Sequence, residues 1–257
     1  MLADFCFFVR DETETMEAMI LAAGRGSRLM PLTKDKPKAL VEVAGCTLLH
    51  RNITKLINSN VRRIVINTHY LGELIHRFVE KQNYDAKILF SDEKESLLDT
   101  GGGVWAARKL FSGTQPILLH NVDVVSDIDF ADMERQLLNS DALAMIAVSS
   151  RETSRHLLFD SQKHLCGRDN QTLNQTTLLP EREAAYSYAF GGVHILRPQI
   201  FDYFTHRGTF SIIDEYLSLA KDHHIDPIIH NAQTWFDVGK IEQLSAIEEA
   251  IKANPKL

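Results

Sequence analysis

The sequence predicts an α/β protein, a doubly wound and mostly parallel sheet carrying a small inserted region, and two observations predict it. Short apolar or β-branched runs alternate with stretches of helical periodicity over the first 150 residues, and such alternation builds βαβ units whose parallel strands are covered by helices on both faces. The first of these runs, Ala18 to Ala23, ends abruptly in Gly24 and Gly26, as a buried strand does where it enters a loop.

After that opening strand, Leu49, Ile53, Leu56 and Ile57 recur at helical spacing within 48–57, and Leu71, Leu74, Ile75, Phe78 and Val79 do so within 71–79. Either spacing gathers apolar side chains on one face of a helix. Arg63 to Asn67, Lys87 to Phe90 and Pro116 to His120 are each short enough to be buried strands. From 151 to 188 the pattern weakens into sequence rich in Asn, Gln, Thr and Arg, an irregular insertion or hairpin region, before Ala189 to Leu196 restores a strand. Helical stretches follow at 211–221 and 240–252, with a strand and turn in IDPIIH and TWFDVG between them. Residues 1–15 read as an N-terminal extension ahead of Met16, and 16–257 as one domain. In an open sheet of this class ligands bind beyond the carboxyl ends of the strands, so chemistry is expected there.

Composition narrows the partners. With 257 residues, 44% hydrophobic and 24% charged, the chain can bury a sizeable core. Its formal charge of -6 supplies no basic field for a nucleic acid, so phosphate recognition has to be local. Cys6, Cys46 and Cys166 are odd in number and widely spaced, a pattern of neither a disulfide framework nor a zinc site, which favours a reducing compartment. No apolar run reaches the roughly 18 residues of a membrane span; the expectation is a cytoplasmic protein with no membrane partner. The histidines, His69, His120, His164, His223 and His224 among them, show no metal spacing, and none is assigned a catalytic role.

The most informative segment is Leu21 to Leu40, LAAGRGSRLMPLTKDKPKAL. A strand there runs through Ala22 and Ala23 into Gly24, Arg25 and Gly26, whose backbone N–H groups can form an anion-binding nest. Arg25 and Arg28 add charge-assisted donors and Lys38 a compact cation, so the chemistry implied is polyphosphate binding. A dinucleotide fingerprint wants glycine where Leu29 stands, and a P-loop wants the Gly-Lys-Ser/Thr that is missing, which argues against both. A second cluster, ILLHNVDVV, delivers Asn121 and Asp123 at a strand end, and a third, TWFDVG, holds Trp235, Asp237 and Gly239. Mg2+ prefers few carboxylates supplemented by substrate phosphates. Two Gly-rich stretches, Asp99-Thr100-Gly101-Gly102-Gly103 and Gly191-Gly192, are placed to accommodate a flat base or a sugar ring, and Asn67 ends a strand on the same face.

The 21–40 string resembles the signature of the sugar-1-phosphate nucleotidyltransferases, the nucleoside-diphosphate-sugar pyrophosphorylases, which read L-A-A-G-x-G-x-R-L-x-P-L-T and then P-K. The resemblance spans roughly residues 17 to 250. It implies a Rossmann-like fold of the glycosyltransferase A type, an NTP and a sugar 1-phosphate as substrates, and Mg2+ as cofactor. It also implies roles: Arg28, Lys38 and Asp123 as catalytic residues; Ala22, Ala23, Gly24, Arg25, Gly26, Asn67, Thr100 and Gly101 along the nucleotide; Asp99, Gly102, Asn121, Gly191 and Gly192 along the sugar; Asp123 and Asp237 on the metal. Val122 stands where the family usually carries a glycine. Within the family, the strings at 99–103 and FGGVHIL most resemble the N-acetylmuramate 1-phosphate uridylyltransferases of peptidoglycan recycling, which favours UTP, with mannose 1-phosphate guanylyltransferases, and hence GTP, nearly as close. Some relatives are regulatory subunits that bind nucleotide sugars without catalysis; these usually lose the lysine or a metal aspartate, and this chain keeps Arg28, Lys38, Asp123 and Asp237. A homo-oligomer stays open.

Overall fold

Strand β1 (Glu17–Leu21) opens a computed structural model in which residues 15–254, 256 and 257 are described. Residues 1–14, and with them Cys6 and nearly all of the expected extension, lie outside the described residues. After β1 come the hairpin β2 (Glu42–Val43) and β3 (Cys46–Thr47), α1 (Leu48–Asn58), β4 (Arg63–Thr68), α2 (Gly72–Glu80), β5 (Lys87–Asp92) and α3 (Asp99–Ala107). Then follow β6 (Ile117–Asn121), β7 (Val124–Ser126), α4 (Phe130–Leu138), β8 (Ala144–Ser149), β9 (Arg155–Phe159), β10 (Leu165–Asn170) and β11 (Gln175–Leu178). The chain finishes with β12 (Tyr186–Leu196), α5 (Ile200–Tyr203), α6 (Ile212–Leu219), β13 (Ile225–Ile229), β14 (Trp235–Asp237) and α7 (Leu244–Ala253).

The main sheet runs β11-β10-β9-β12-β6-β1-β4-β5, with β8 beside β12 and β13 beside β8. It is parallel across β6, β1, β4 and β5. It turns antiparallel around β12, which opposes β6, β8 and β9, while β13 again runs parallel to β8. The class is the α/β fold the sequence predicts, a mixed sheet whose run of four adjacent parallel strands comes from the N-terminal half, with one further parallel pair, β8 and β13, beyond β12.

Successive side chains of a strand point to opposite faces, and β1 shows what this does. Ala18 and Ile20 enter one core, with Leu49, Ile53 and Leu56 of α1, Ile75 of α2, Phe130 of α4 and Ile247 of α7. Met19 enters the other, with Val104 of α3 and Ile212 and Tyr216 of α6. Helices on both faces make the sheet doubly wound. Helix α1 starts where Thr47 accepts a hydrogen bond from the His50 N–H at 3.2 Å, and it buries Leu48, Leu49, Asn52, Ile53 and Leu56, the stripe its spacing dictates.

The stretch 151–188 is more regular than its composition suggests. It forms the antiparallel ribbon β9-β10-β11, which leads outward from β12. All four residues of β11 are exposed, so a polar sequence at the sheet edge carries no alternation to read.

Candidate active site

The parallel strands end side by side. Leu21 of β1 is in register with Asn67 of β4 and with Asn121 of β6, and the residues that follow each strand rise from this line. They border a cleft of about 200 Å3 lined by Leu21, Ala23, Gly24, Lys38, Asn67, Leu97, Asp99, Thr100, Asn121, Val122 and Asp123. Of the residues expected along the nucleotide, Ala23, Gly24, Asn67 and Thr100 thus share one cavity with Lys38 and Asp123.

The glycine turn owes its shape to two contacts. Gly26 sits at φ +66°, and a Cβ there would fall 2.9 Å from Lys38 Cβ and 3.1 Å from Thr33 Cγ2, so a glycine is required both for the left-handed conformation and for the approach. Thr33 Oγ1 then donates to the Gly26 carbonyl at 2.9 Å. Gly24 differs, because nothing lies within 4 Å of its missing Cβ; its bareness opens the cleft. Ala22 is buried, and its N–H donates to Asn67 Oδ1 at 2.7 Å. Arg25 and Arg28 are exposed at the mouth of the turn.

Lys38 is 7% exposed, and its Nζ donates to Asp123 Oδ2 at 2.5 Å. Asp123 is aimed by its neighbours on both sides. Val122 donates its N–H to the Leu21 carbonyl at 3.2 Å and accepts from Asn52 Nδ2 at 2.9 Å. Lys55 Nζ donates to the Ser126 carbonyl, so helix α1 holds the segment at both ends. Burial lowers the Lys55 ammonium to about 8, against the pull of Asp127 and Asp129. The valine that replaces the family glycine is buried in the core and has no left-handed φ, so the backbone accepts it without strain.

Asp237 arrives from the far end of the chain. Strand β14 pairs antiparallel with β7, setting Asp237 opposite Val124, and the Val238 N–H donates to the Asp123 carbonyl at 2.9 Å. Burial first, and the Asp123 carboxylate second, push the Asp237 carboxyl above the usual carboxylate range, while Lys38, Arg28 and Arg151 pull it down. Its Oδ1 is buried with no hydrogen-bond partner among the described residues. Two carboxylates that repel each other, one with an unsatisfied buried oxygen, form a donor set fit for a hard divalent cation completed by phosphate oxygens. Among the described residues no cluster of three or more His, Cys, Asp or Glu offers a complete protein cage.

Other expected residues are brought near but turned to structural work. Gly101 and Gly102 donate their N–H groups to the Phe210 carbonyl at 2.9 and 3.2 Å. A Cβ on Gly101 would meet the Phe210 ring at 2.4 Å, and one on Gly102 the Gly208 carbonyl oxygen at 2.2 Å. They let α3 press against the 208–212 segment and do not line the cleft. Asp99 and Thr100 do line it, and Thr100 Oγ1 also accepts from the Ile212 N–H at 3.0 Å. Gly191 and Gly192 are buried in β12, where the register with β8 shifts between Phe190 and His194. A Cβ on Gly192 would lie 3.0 Å from Asn121 Nδ2, so this glycine makes room for an asparagine of the cleft.

Two participants escape sequence reasoning. Glu93 is 4% exposed; it accepts from Asn67 Nδ2 at 2.7 Å and from the Leu98 N–H at 2.8 Å, and burial raises its carboxyl. It ties the end of β4 to the start of α3. Arg151 follows β8 and acts on Asp237. No motif marks either residue.

A family model described as Nucleotidyl transferase matches residues 17–254. The chain is 32% identical over 231 residues to an N-acetylmuramate alpha-1-phosphate uridylyltransferase of Neisseria meningitidis serogroup B, covering 89% of this chain and 95% of that protein. It is 38% identical over 121 residues to a mannose-1-phosphate guanylyltransferase catalytic subunit beta of Danio rerio, a match covering 46% of this chain and 33% of the relative. Among solved structures, the inositol-1-phosphate CTP transferase from T. maritima superposes with a TM-score of 0.70 at 15% identity, over 93% of this chain and 95% of that one; that likeness speaks to the fold alone.

Proposed function

The chain belongs to the nucleotidyl transferase family and is a sugar-1-phosphate nucleotidyltransferase, and from that premise we propose that it joins UMP from UTP to N-acetylmuramate 1-phosphate, releasing pyrophosphate. What carries the choice of substrates is the match to the uridylyltransferase, which runs along 89% of this chain and 95% of that protein, whereas the guanylyltransferase match stops at 46% and 33%. Such a reaction, using an NTP, takes place in the cytoplasm, and it serves the recycling of cell wall sugars.

The residues divide the work. A phosphate oxygen of the sugar 1-phosphate attacks the α-phosphorus of the NTP. The bond from that phosphorus to the β-phosphate bridge breaks, and pyrophosphate leaves with the electron pair. The attacking oxygen is already ionised at neutral pH, so no general base is asked of the protein. Catalysis rests on positioning and on offsetting the repulsion of two polyanions. The 24–26 turn cradles the triphosphate, with Arg28 at its mouth. Lys38 sits against Asp123 and presents its remaining N–H donors to the reacting phosphates. Asp123 and Asp237 are the residues that would hold Mg2+, whose chemistry there is to neutralise phosphate charge and orient the oxygens.

A pyrophosphate-release assay crossing UTP, GTP, CTP and dTTP with N-acetylmuramate 1-phosphate, mannose 1-phosphate and glucose 1-phosphate tests the reading. The expected optimum is UTP with N-acetylmuramate 1-phosphate, by about tenfold or more in kcat/KM; GTP with mannose 1-phosphate as the best pair would refute it. Gly24→Ala, whose new methyl meets no protein atom, is expected to keep the melting temperature within about 2 °C while raising the KM for the NTP about tenfold or more, by blocking backbone approach to phosphate. Equal KM values in the two proteins would take Gly24 out of the nucleotide subsite.

A further inference from the structure

Lys38 and Arg28 account for the NTP, yet the reaction brings two anions together, and the second needs its own cation. The strand ends order the possibilities. From β4 with Asn67, through β1 with Gly24, to β6 with Asp123, the edge continues past β12 to β8. Strand β8 runs in the same direction as β6, since both oppose β12. The residues after β8 therefore emerge on the same edge as the cleft, displaced from Asp123 away from the Gly24 turn. Arg151 lies two residues beyond the end of β8.

Its setting is that of a guanidinium held ready. Arg151 stacks on the Trp235 ring with Cζ 4.2 Å from the centroid, and Nη2 donates to the Phe190 carbonyl at 3.0 Å. The indole is itself fixed, because Nε1 donates to the Gly191 carbonyl at 2.6 Å. Trp235 and Asp237 alternate onto one face of β14, and the Arg151 charge acts on Asp237. Arg151 Nε is buried with no partner among the described residues. On the same half of the sheet, Arg168 is paired with Asp214 and Arg182 with Asp160. Arg151 has an aromatic face and a neutral carbonyl in place of a carboxylate at hydrogen-bonding distance.

We propose that Arg151 receives the phosphate of the sugar 1-phosphate and sets it beside Asp237 for attack. This rests on the function proposed above and deepens it by naming the residue that binds the second substrate. With one face stacked, Nε buried and one Nη2 hydrogen on the Phe190 carbonyl, the guanidinium keeps Nη1 and the second Nη2 hydrogen for an oxyanion, and such a planar fork matches phosphate bidentately where an ammonium gives a single point of charge. Partial burial of the group lowers its basicity below that of a free arginine, and the same exclusion of water strengthens its pull on an arriving anion.

The test is steady-state kinetics of Arg151→Ala, Arg151→Gln and Arg151→Lys against wild type, varying the sugar 1-phosphate, the NTP and Mg2+ in turn, with thermal unfolding recorded for each. The expected result is a KM for the sugar 1-phosphate raised about tenfold or more in the alanine and glutamine variants and partly restored by lysine. The NTP KM and the Mg2+ requirement stay within about twofold. If the alanine variant fails to fold, the glutamine and lysine variants carry the comparison, since both keep a long stem on the indole. A sugar 1-phosphate KM within about twofold of wild type, or NTP and Mg2+ dependences that rise by as much as the sugar term, would overturn the proposal and leave Arg151 a support for Asp237. Wild-type protein that turns over no sugar 1-phosphate would overturn the proposed function as well; turnover with indifferent variants would overturn this inference alone.

Discussion

Lys38→Met is expected to lower kcat about a hundred- to a thousandfold, and Asp123→Asn by a similar factor, with the protein still folded. Methionine keeps the buried stem of Lys38 and removes only the ammonium that touches Asp123 at 2.5 Å. The double variant should be scarcely slower than the worse single one, because residues that act as a unit are non-additive. Removing the ammonium also leaves Asp123 and Asp237 facing each other without their balancing charge. With side chains 9% and 24% exposed, that loss is expected to cost about 1–3 kcal/mol of stability, less than a fully buried pair. The measurement is pyrophosphate release under saturating substrates beside a melting curve. Rates within about threefold of wild type in both single variants would remove the pair from the reacting centre.

Gly102→Ala is expected to be among the most destabilising single substitutions, against what helix propensity alone suggests. In an exposed helix interior, alanine for glycine gains about 1 kcal/mol. Here the added Cβ would lie 2.2 Å from the Gly208 carbonyl oxygen and 3.0 Å from Leu98 Cβ, so α3 or the 208–212 segment must move. Overpacking of this kind costs about 3 kcal/mol or more, and for a chain of this size that lowers the melting temperature by roughly 6–12 °C. Activity should fall with it, since the first turn of α3 carries Asp99 and Thr100 to the cleft. A melting temperature equal to or above wild type would show that the segment yields without strain.

The contrast among these glycines marks what a sequence can and cannot say. In LAAGRGSRL, the glycines at 24 and 26 announce a turn, and the arginine and lysine near them announce phosphate. In DTGGG, the same residue type answers to a close approach between α3 and a segment more than a hundred residues downstream, which no local pattern reports. Strands β1, β4 and β6 were legible because they are buried on both faces and read as short apolar runs. Strands β9 to β11 were not, because the sheet edge leaves β11 in water and removes the alternation on which a strand is recognised. Arg151 and Glu93 gain their meaning from Trp235 and Asn67, partners brought to them only by the strand order. Asp237 was legible through the tryptophan and glycine that bracket it, although its distance in sequence from Asp123 conceals that a two-stranded ribbon joins them.

That ribbon has a consequence for the timing of activity during synthesis. Strand β7 precedes its partner β14 by more than a hundred residues, so it is made well before the strand that pairs with it. A nascent or stalled chain that stops short of Trp235 lacks the second of the two carboxylates proposed to hold the metal. Closing so long a loop is among the slower steps of folding. With the metal roles proposed for Asp123 and Asp237, competence for phosphoryl chemistry would therefore wait until β14 has been made and has paired with β7.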